Sequence, residues 1–313
     1  MMKSYLLFAF GTLVAALPLA SRTPTPPDSA DALFQKARGL IGQDDKEAFK
    51  LMQQAAQDGS ADAEGGLGYF YAQGIEVPKD EAKAAEYFKK GAEGGSARSQ
   101  LNYAAVLLAG QGVKKDPAAA LPWLEKAAAA GVPEAQERLG LAVFHGDLID
   151  GVSRDDEKAR QLLQAASEAG RSQAQNAYAF MLAEARGGSG DEAAAESWYR
   201  RAAEQDEPKA MANLGRMLFN SGAKDRARRV EGLKWLMTAQ AHDEPTAKNT
   251  LAEYQVNADG AEWSEAQQEA DQMTSKVRFK AAVDKLKRTP SKAAGGTAAA
   301  ASPASSPATQ SGE

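Results

Sequence analysis

The 313-residue chain contains no cysteine. That single absence removes disulfide staples, thiol nucleophiles and every thiolate metal site, so stability has to come from packing. It also excludes lipoprotein anchoring, and it suits an oxidising compartment without proving one. Histidine is nearly as scarce, with only His145 and His242. They fall almost three repeats apart at non-equivalent helix ends, which excludes a shared acid-base or zinc site. Aromatics make up 7%, and the apolar 43% rests mostly on alanine, which implies closely packed helices. Charge of one sign is missing too: 42 acidic and 37 basic side chains are interspersed and leave a net charge of -5. A nucleic-acid surface is thereby excluded.

What is present begins with Met1-Met2-Lys3 and then an uncharged, apolar run from Ser4 to Ala20. A short basic region before an apolar core has the form of a secretory signal, expected over residues 1–20 and cleaved after Ala20 or Ala16. A retained membrane anchor is the alternative, since the run only just reaches spanning length. Residues 21–30, with Pro24, Pro26 and Pro27, are expected to form a stiff spacer.

Self-similarity is the main signal. Gly59, Gly95, Gly131, Gly170, Asp206 and Asp243 end helical segments at spacings of 36, 36, 39, 36 and 37. A second register repeats the intervals: small residues at Ala63, Ser99, Ala135, Ala174, Ala210 and Ala247 precede Leu67, Tyr103, Leu139, Tyr178, Leu214 and Leu251 by four. A glycine or alanine follows each, giving one narrow helical face that a neighbouring backbone can approach. A second helix contributes Tyr87-Phe88, Trp123-Leu124, Leu162-Leu163, Trp198-Tyr199 and Trp235-Leu236 at matching intervals. Between the helices, Gly74 to Val77, Gly112-Val113 and Gly151-Val152 are assigned as stops, and Asp80, Asp116, Asp155 and Asp191 as N-caps. The third unit's three extra residues lie between Gly146 and Gly151 and should bulge.

The run Ala61-x-Ala63-x-x-x-Leu67-Gly68-x-x-Tyr71-x-x-Gly74, followed by Asp80-x-x-Lys83-Ala84, resembles the Sel-one-like repeat, a relative of the tetratricopeptide repeat. Gly110-x-Gly112-Val113-x-x-Asp116 and Trp123-Leu124-x-Lys126-Ala127-Ala128-x-x-Gly131 are similar to the same family's loop and second helix. The resemblance implies an all-α fold, a right-handed α-α superhelix or solenoid with a C-terminal capping helix, and a protein-binding role. About five units are expected over 61–256. The loops of the last two, Arg186 to Gly190 and Lys224 to Arg229, depart from the pattern. Residues 31–60 are expected to form an N-terminal capping helix pair. A terminal helix is expected over 262–288, opened by a Ser264-x-x-Gln267 capping box. The tail 289–313 has no leucine, isoleucine, valine or aromatic residue and is expected to be disordered.

No catalytic set can be assembled. The chain offers no phosphate-cradling loop after a strand, no carboxylate pair on rigid elements and no Ser-His-Asp group. Asp147, Asp150, Asp155, Asp156 and Glu157 cluster in the enlarged third loop, but their spacing fits no calcium template and Asp155 is needed as a cap. The basic end of the last helix, Lys276 to Arg288, suits the helix dipole. Trp123, Trp198 and Trp235 recur in the core register, whereas Trp263 is off-register and open.

The reading is therefore an exported, non-enzymatic scaffold that needs no metal or cofactor and binds proteins, with membrane contact only through an uncleaved signal. Two alternatives stay open: a periplasmic adaptor in exopolysaccharide export or cell-wall maintenance, and a beta-lactam-hydrolysing enzyme, as the family's cysteine-rich members suggest. First helices should line a concave groove. One residue before each repeating Leu or Tyr stand Gly66, Asn102, Arg138, Ala177 and Asn213, expected on the helix faces that the core register does not claim, with Tyr69, Phe70 and Arg216 near them. Tyr69, Phe70, Asn102, Arg138, Asn213 and Arg216 are the candidate partner-binding residues.

Overall fold

A computed structural model describes residues 29–149 and 151–288. The expected signal, most of the spacer, Asp150 and the tail lie outside the described residues. Among those described there are fourteen helices and no strand. Two precede the expected units, α1 (Ala30–Leu40) and α2 (Asp45–Gln57). Five hairpins follow: α3 (Ala61–Gln73) with α4 (Glu81–Glu93), α5 (Ala97–Ala109) with α6 (Pro117–Ala129), α7 (Pro133–His145) with α8 (Asp156–Glu168), α9 (Ser172–Ala183) with α10 (Glu192–Ala203), and α11 (Pro208–Ser221) with α12 (Arg226–Ala241). The chain closes with α13 (Pro245–Gln255) and α14 (Gly260–Arg288), whose side chains are described as far as Ser275.

The caps explain why the period is so regular. All six helix-ending residues read from the sequence have positive φ: 93°, 92°, 78° and 87° at the glycines, 61° at Asp206 and 60° at Asp243. The residue after each returns its N–H to a carbonyl five back, as Ser60 does to Ala55 O at 2.9 Å, which closes the second helix and turns the chain into the next unit. Asp80, Asp116, Asp155 and Asp191 accept from Lys83, Ala119, Lys158 and Ala194 N–H, and Asp225 accepts from Arg228 N–H in the fifth unit.

The first helix of the first unit stops at Gly74 as assigned, but those of the second and third units stop earlier than Gly112 and Gly151. Gly74, Gly110 and Gly146 are their left-handed caps. Gly112 and Gly151 come later in the loop, where the first unit has Glu76, also at positive φ. Gly112 combines φ of 69° with contact so close that a Cβ would lie 2.0 Å from Glu81 O of the preceding second helix. Only glycine lets that loop settle on the N-terminus of α4.

The small residues of the repeat register are buried to 1% exposure or less, with Gly140 against Leu162 and Leu163 as the pattern predicts. Of each bulky pair in the second helices, the later member enters the core and the earlier generally lies half-buried at its edge. There a cation covers it, with Lys126 Nζ 4.5 Å from the Trp123 ring centroid and Arg201 4.6 Å from that of Trp198. The core is not one body. A continuous cluster runs from Leu101 to Ala270, while α1 to α3 and the α3–α4–α5 junction each form a small cluster of their own.

Two departures occur at the C-terminal end. Ser264 lies inside α14, because Asp259 takes the cap instead, accepting from Ala261 and Glu262 N–H at 2.8 Å while Glu262 Oε2 accepts from Asp259 N–H at 3.3 Å. Asp259 precedes Ser264 and closes the same kind of reciprocal box with a charged acceptor. Further, α14 makes its extensive contacts with α12 and not with α13, its neighbour in sequence. Ala266 and Ala270 are buried there, flanked by Arg226–Glu265 at 2.7 Å, Arg229–Glu262 at 2.9 Å and Lys234–Glu269 at 3.2 Å.

Candidate functional site

Successive first helices touch, α3 with α5, α7 with α9, α9 with α11 and α11 with α13, whereas successive second helices of the five hairpins make no comparable contact. Bringing one layer closer than the other curves the stack, so the first helices form the inner face. On that face a groove of about 470 Å³ crosses α7, α9 and α11. Leu141, Phe144, Ala177 and Phe180 form its apolar floor, with Asn176 and Asn213 across from them. Gln173, Lys209, Glu207, His145 and Leu148 complete it.

The floor is held rigidly. Phe144 and Phe180 meet edge to face at 5.9 Å and 90°. Arg186 lies 4.1 Å over the Phe144 ring, donates to Phe144 O at 3.3 Å and forks onto Asp156 through Nε at 3.0 Å and Nη2 at 2.5 Å. Arg154 engages the same carboxylate at 3.0 Å. These two guanidinium groups, Arg186 first, hold the Asp156 carboxyl well below the usual carboxylate range. Asp155 caps α8, so two carboxylates of the acidic loop are occupied, and among the described residues no group of three potential metal ligands occurs.

Asn213 Nδ2 donates to Asn176 Oδ1 at 2.9 Å, joining α11 to α9. Both residues line the groove, and the bond leaves the Asn176 amide N–H and the Asn213 carbonyl oxygen as one donor and one acceptor, the complement of a peptide unit.

Of the candidate residues, Asn213 alone lines this groove. Asn102 on α5 and Arg138 on α7 share its register and are half-buried, but Arg138 is held by Glu134 on its own helix at 2.9 Å. Tyr69 is half-buried and Arg216 exposed. Phe70 must be corrected: it is fully buried and packs on Phe49 with centroids 5.2 Å apart. Its place in the repeat is that of Val106, Ala142 and Met181, all core residues. Gly66 and Ala177 are buried as well, and a Cβ on Gly66 would lie 2.5 Å from Met52 Sδ, so the polar ladder starts only at Asn102. The groove residues passed over, Leu141 and Phe180, occupy the same register as Tyr69 and Arg216. That periodicity was the available signal.

The Sel1 repeat family matches at residues 32–60, 61–96, 97–132, 133–170, 172–207 and 208–236, so α1 and α2 count as a shortened repeat as well. The chain belongs to the Sel1 repeat family, an all-α helical-repeat fold whose members generally act as protein-interaction scaffolds and are typically non-catalytic. A crystal structure of a Sel1 repeat protein from Oxalobacter formigenes is 25% identical, covers 79% of this chain and 99% of its own, and superposes with a TM-score of 0.59. The protective antigen c5321 of uropathogenic Escherichia coli, with an SLR fold, is 19% identical over 86% of this chain and 73% of its own, TM-score 0.37. The immunity protein Pa5087 of Pseudomonas aeruginosa is 23% identical over 67% and 77%, TM-score 0.41. No curated protein matches the chain. Among the described residues no helix is long and apolar enough to cross a membrane.

Proposed function

We propose that the chain is an exported, non-catalytic scaffold that captures a protein partner along its first helices, with the α7–α9–α11 groove as the principal site. The observation that carries this reading is the pairing of an apolar floor, Leu141, Phe144 and Phe180, with the Asn176–Asn213 amides. An extended segment can place one apolar side chain on the floor while its main chain bonds to the amides. The residues 1–20 support export.

The test is photo-crosslinking in the native host, with a benzophenone side chain at Gln173 in the groove and, as control, at Glu125 on the exposed side of α6. A discrete crosslinked protein should appear from position 173 and vanish when Asn176 and Asn213 are both replaced by alanine. Capture from position 125 but not 173 would refute the groove. Fractionation of cells expressing the chain with and without residues 1–20 tests export separately.

A further inference from the structure

The break between α13 and α14 opens a second cleft, of about 530 Å³, lined by Gln255, Ala258, Trp263, Ser264, Gln267 and Gln268 with Asp259 and Gly260 at its base. Gln267 also borders a neighbouring cleft of about 190 Å³ between α12 and α14, where Gln240 and Thr274 continue the polar lining. Trp263 differs from the other three tryptophans. Trp123, Trp198 and Trp235 each carry a cation over the ring, whereas among the described residues no cation or second ring stands against Trp263. One part of its indole rests on the core and fixes its position; the rest faces the cleft.

The lining is amide and hydroxyl with one carboxylate in each cleft, and both carboxylates are hydrogen-bonded. Asp259 is engaged by two backbone N–H groups as the cap of α14, and Asp271, in the smaller cleft, accepts from Gln267 Nε2 at 3.0 Å. Lysine and arginine are absent from both linings. An aromatic plane surrounded by groups that donate and accept, with no cation to hold an acidic sugar, matches a neutral pyranose ring: its C–H face stacks on the indole and its hydroxyls bond to the amides. We infer that Trp263 and the glutamines around it form a binding site for a neutral oligosaccharide, extended across the two clefts that share Gln267. The site is separate from the groove on the inner face and does not depend on it.

The experiment is an NMR titration of the full chain, following the four tryptophan indole N–H resonances with millimolar cellotetraose, chitotetraose and tetragalacturonate as probes. At least one neutral tetrasaccharide should shift one indole resonance saturably, while the acidic probe should not. Trp263→Ala should weaken that binding by about tenfold or more, and Trp263→Phe by less. Circular dichroism shows whether Trp263→Ala keeps its helices. If it does not, Gln255→Ala with Gln268→Ala, both exposed, carries the test and should weaken binding likewise. Failure of both neutral probes, tighter binding of the uronate, or affinity unchanged in the substituted chains overturns the inference.

Discussion

At Glu64 the repeat chemistry is reversed. At its place in the next three units stand Gln100, Gln136 and Gln175. Each donates its amide to a carbonyl eight residues back, near the end of the preceding second helix: Ala92 O at 3.5 Å, Ala128 O at 3.3 Å and Ser167 O at 3.1 Å. The equivalent carbonyl is Ala56 O, and a carboxylate has no proton to give it. Glu64 Oε2 is accordingly buried without a hydrogen-bond partner, and burial raises the Glu64 pKa against the partial opposition of Lys90.

Glu64→Gln should therefore stabilise the chain. An unmet buried polar atom costs about 1–3 kcal/mol, but Glu64 is only half-buried and Lys90 offsets part of that, so the expected gain is about 1 kcal/mol, or ~2–4 °C in Tm. The gain must also depend on pH. Because the folded state holds the Glu64 proton more tightly than the unfolded chain, wild-type stability falls as pH rises from the ordinary glutamate value through the raised one, and the cost is complete above it. The difference between variant and wild type should be full at neutral pH and shrink towards acid. Urea denaturation of both chains across that range measures it. A variant less stable at neutral pH, or a difference that grows on acidification, would refute the reasoning.

Ser99 stands where every other unit has alanine, and its Oγ is buried without a partner; Ser99→Ala should raise stability by about 1 kcal/mol in the same denaturation assay. Two helix glycines should respond unequally to enlargement. A Cβ on Gly140 would meet the Leu163 side chain at 2.9 Å, whereas on Gly215 it would meet the Gly232 carbonyl oxygen at 2.7 Å, backbone against backbone. Gly140→Leu should cost about 1–3 kcal/mol, and Gly215→Ala should cost more than Gly140→Ala because no side chain can yield; thermal melts of the three variants decide.

The helices, their order and most caps were legible in the sequence because they follow from local rules repeated six times: a residue able to adopt positive φ, an acceptor at the N-cap, a small residue where backbones approach. Asp206 and Asp243 could be equated with the glycines for that reason. The site was less legible. On an inner face, apolar residues such as Phe144 and Phe180 have the spacing of core residues, and only the curvature of the stack leaves them half-buried along the groove. Phe70 failed for the converse reason, since its neighbour Tyr69 has the inner-face register and Phe70 itself the core one. The capping box at Ser264 failed because two boxes overlap in the sequence and only the earlier one, at Asp259, is adjacent to the end of α13.

The separation of the hydrophobic core into one long cluster and two short ones divides the array into unequal blocks. A repeat array is held together only by joints between neighbours, and among the described residues those around α3 and α5 have the small separate cores and the two orphaned polar atoms, Glu64 Oε2 and Ser99 Oγ. From α5 onward, Arg171–Glu137 and the Arg200, Arg228, Glu196 and Glu231 group tie successive units across a shared core. The helices that share the long core should therefore open together, and the α7–α9–α11 groove, which lies within that block, should lose its shape only when the block does.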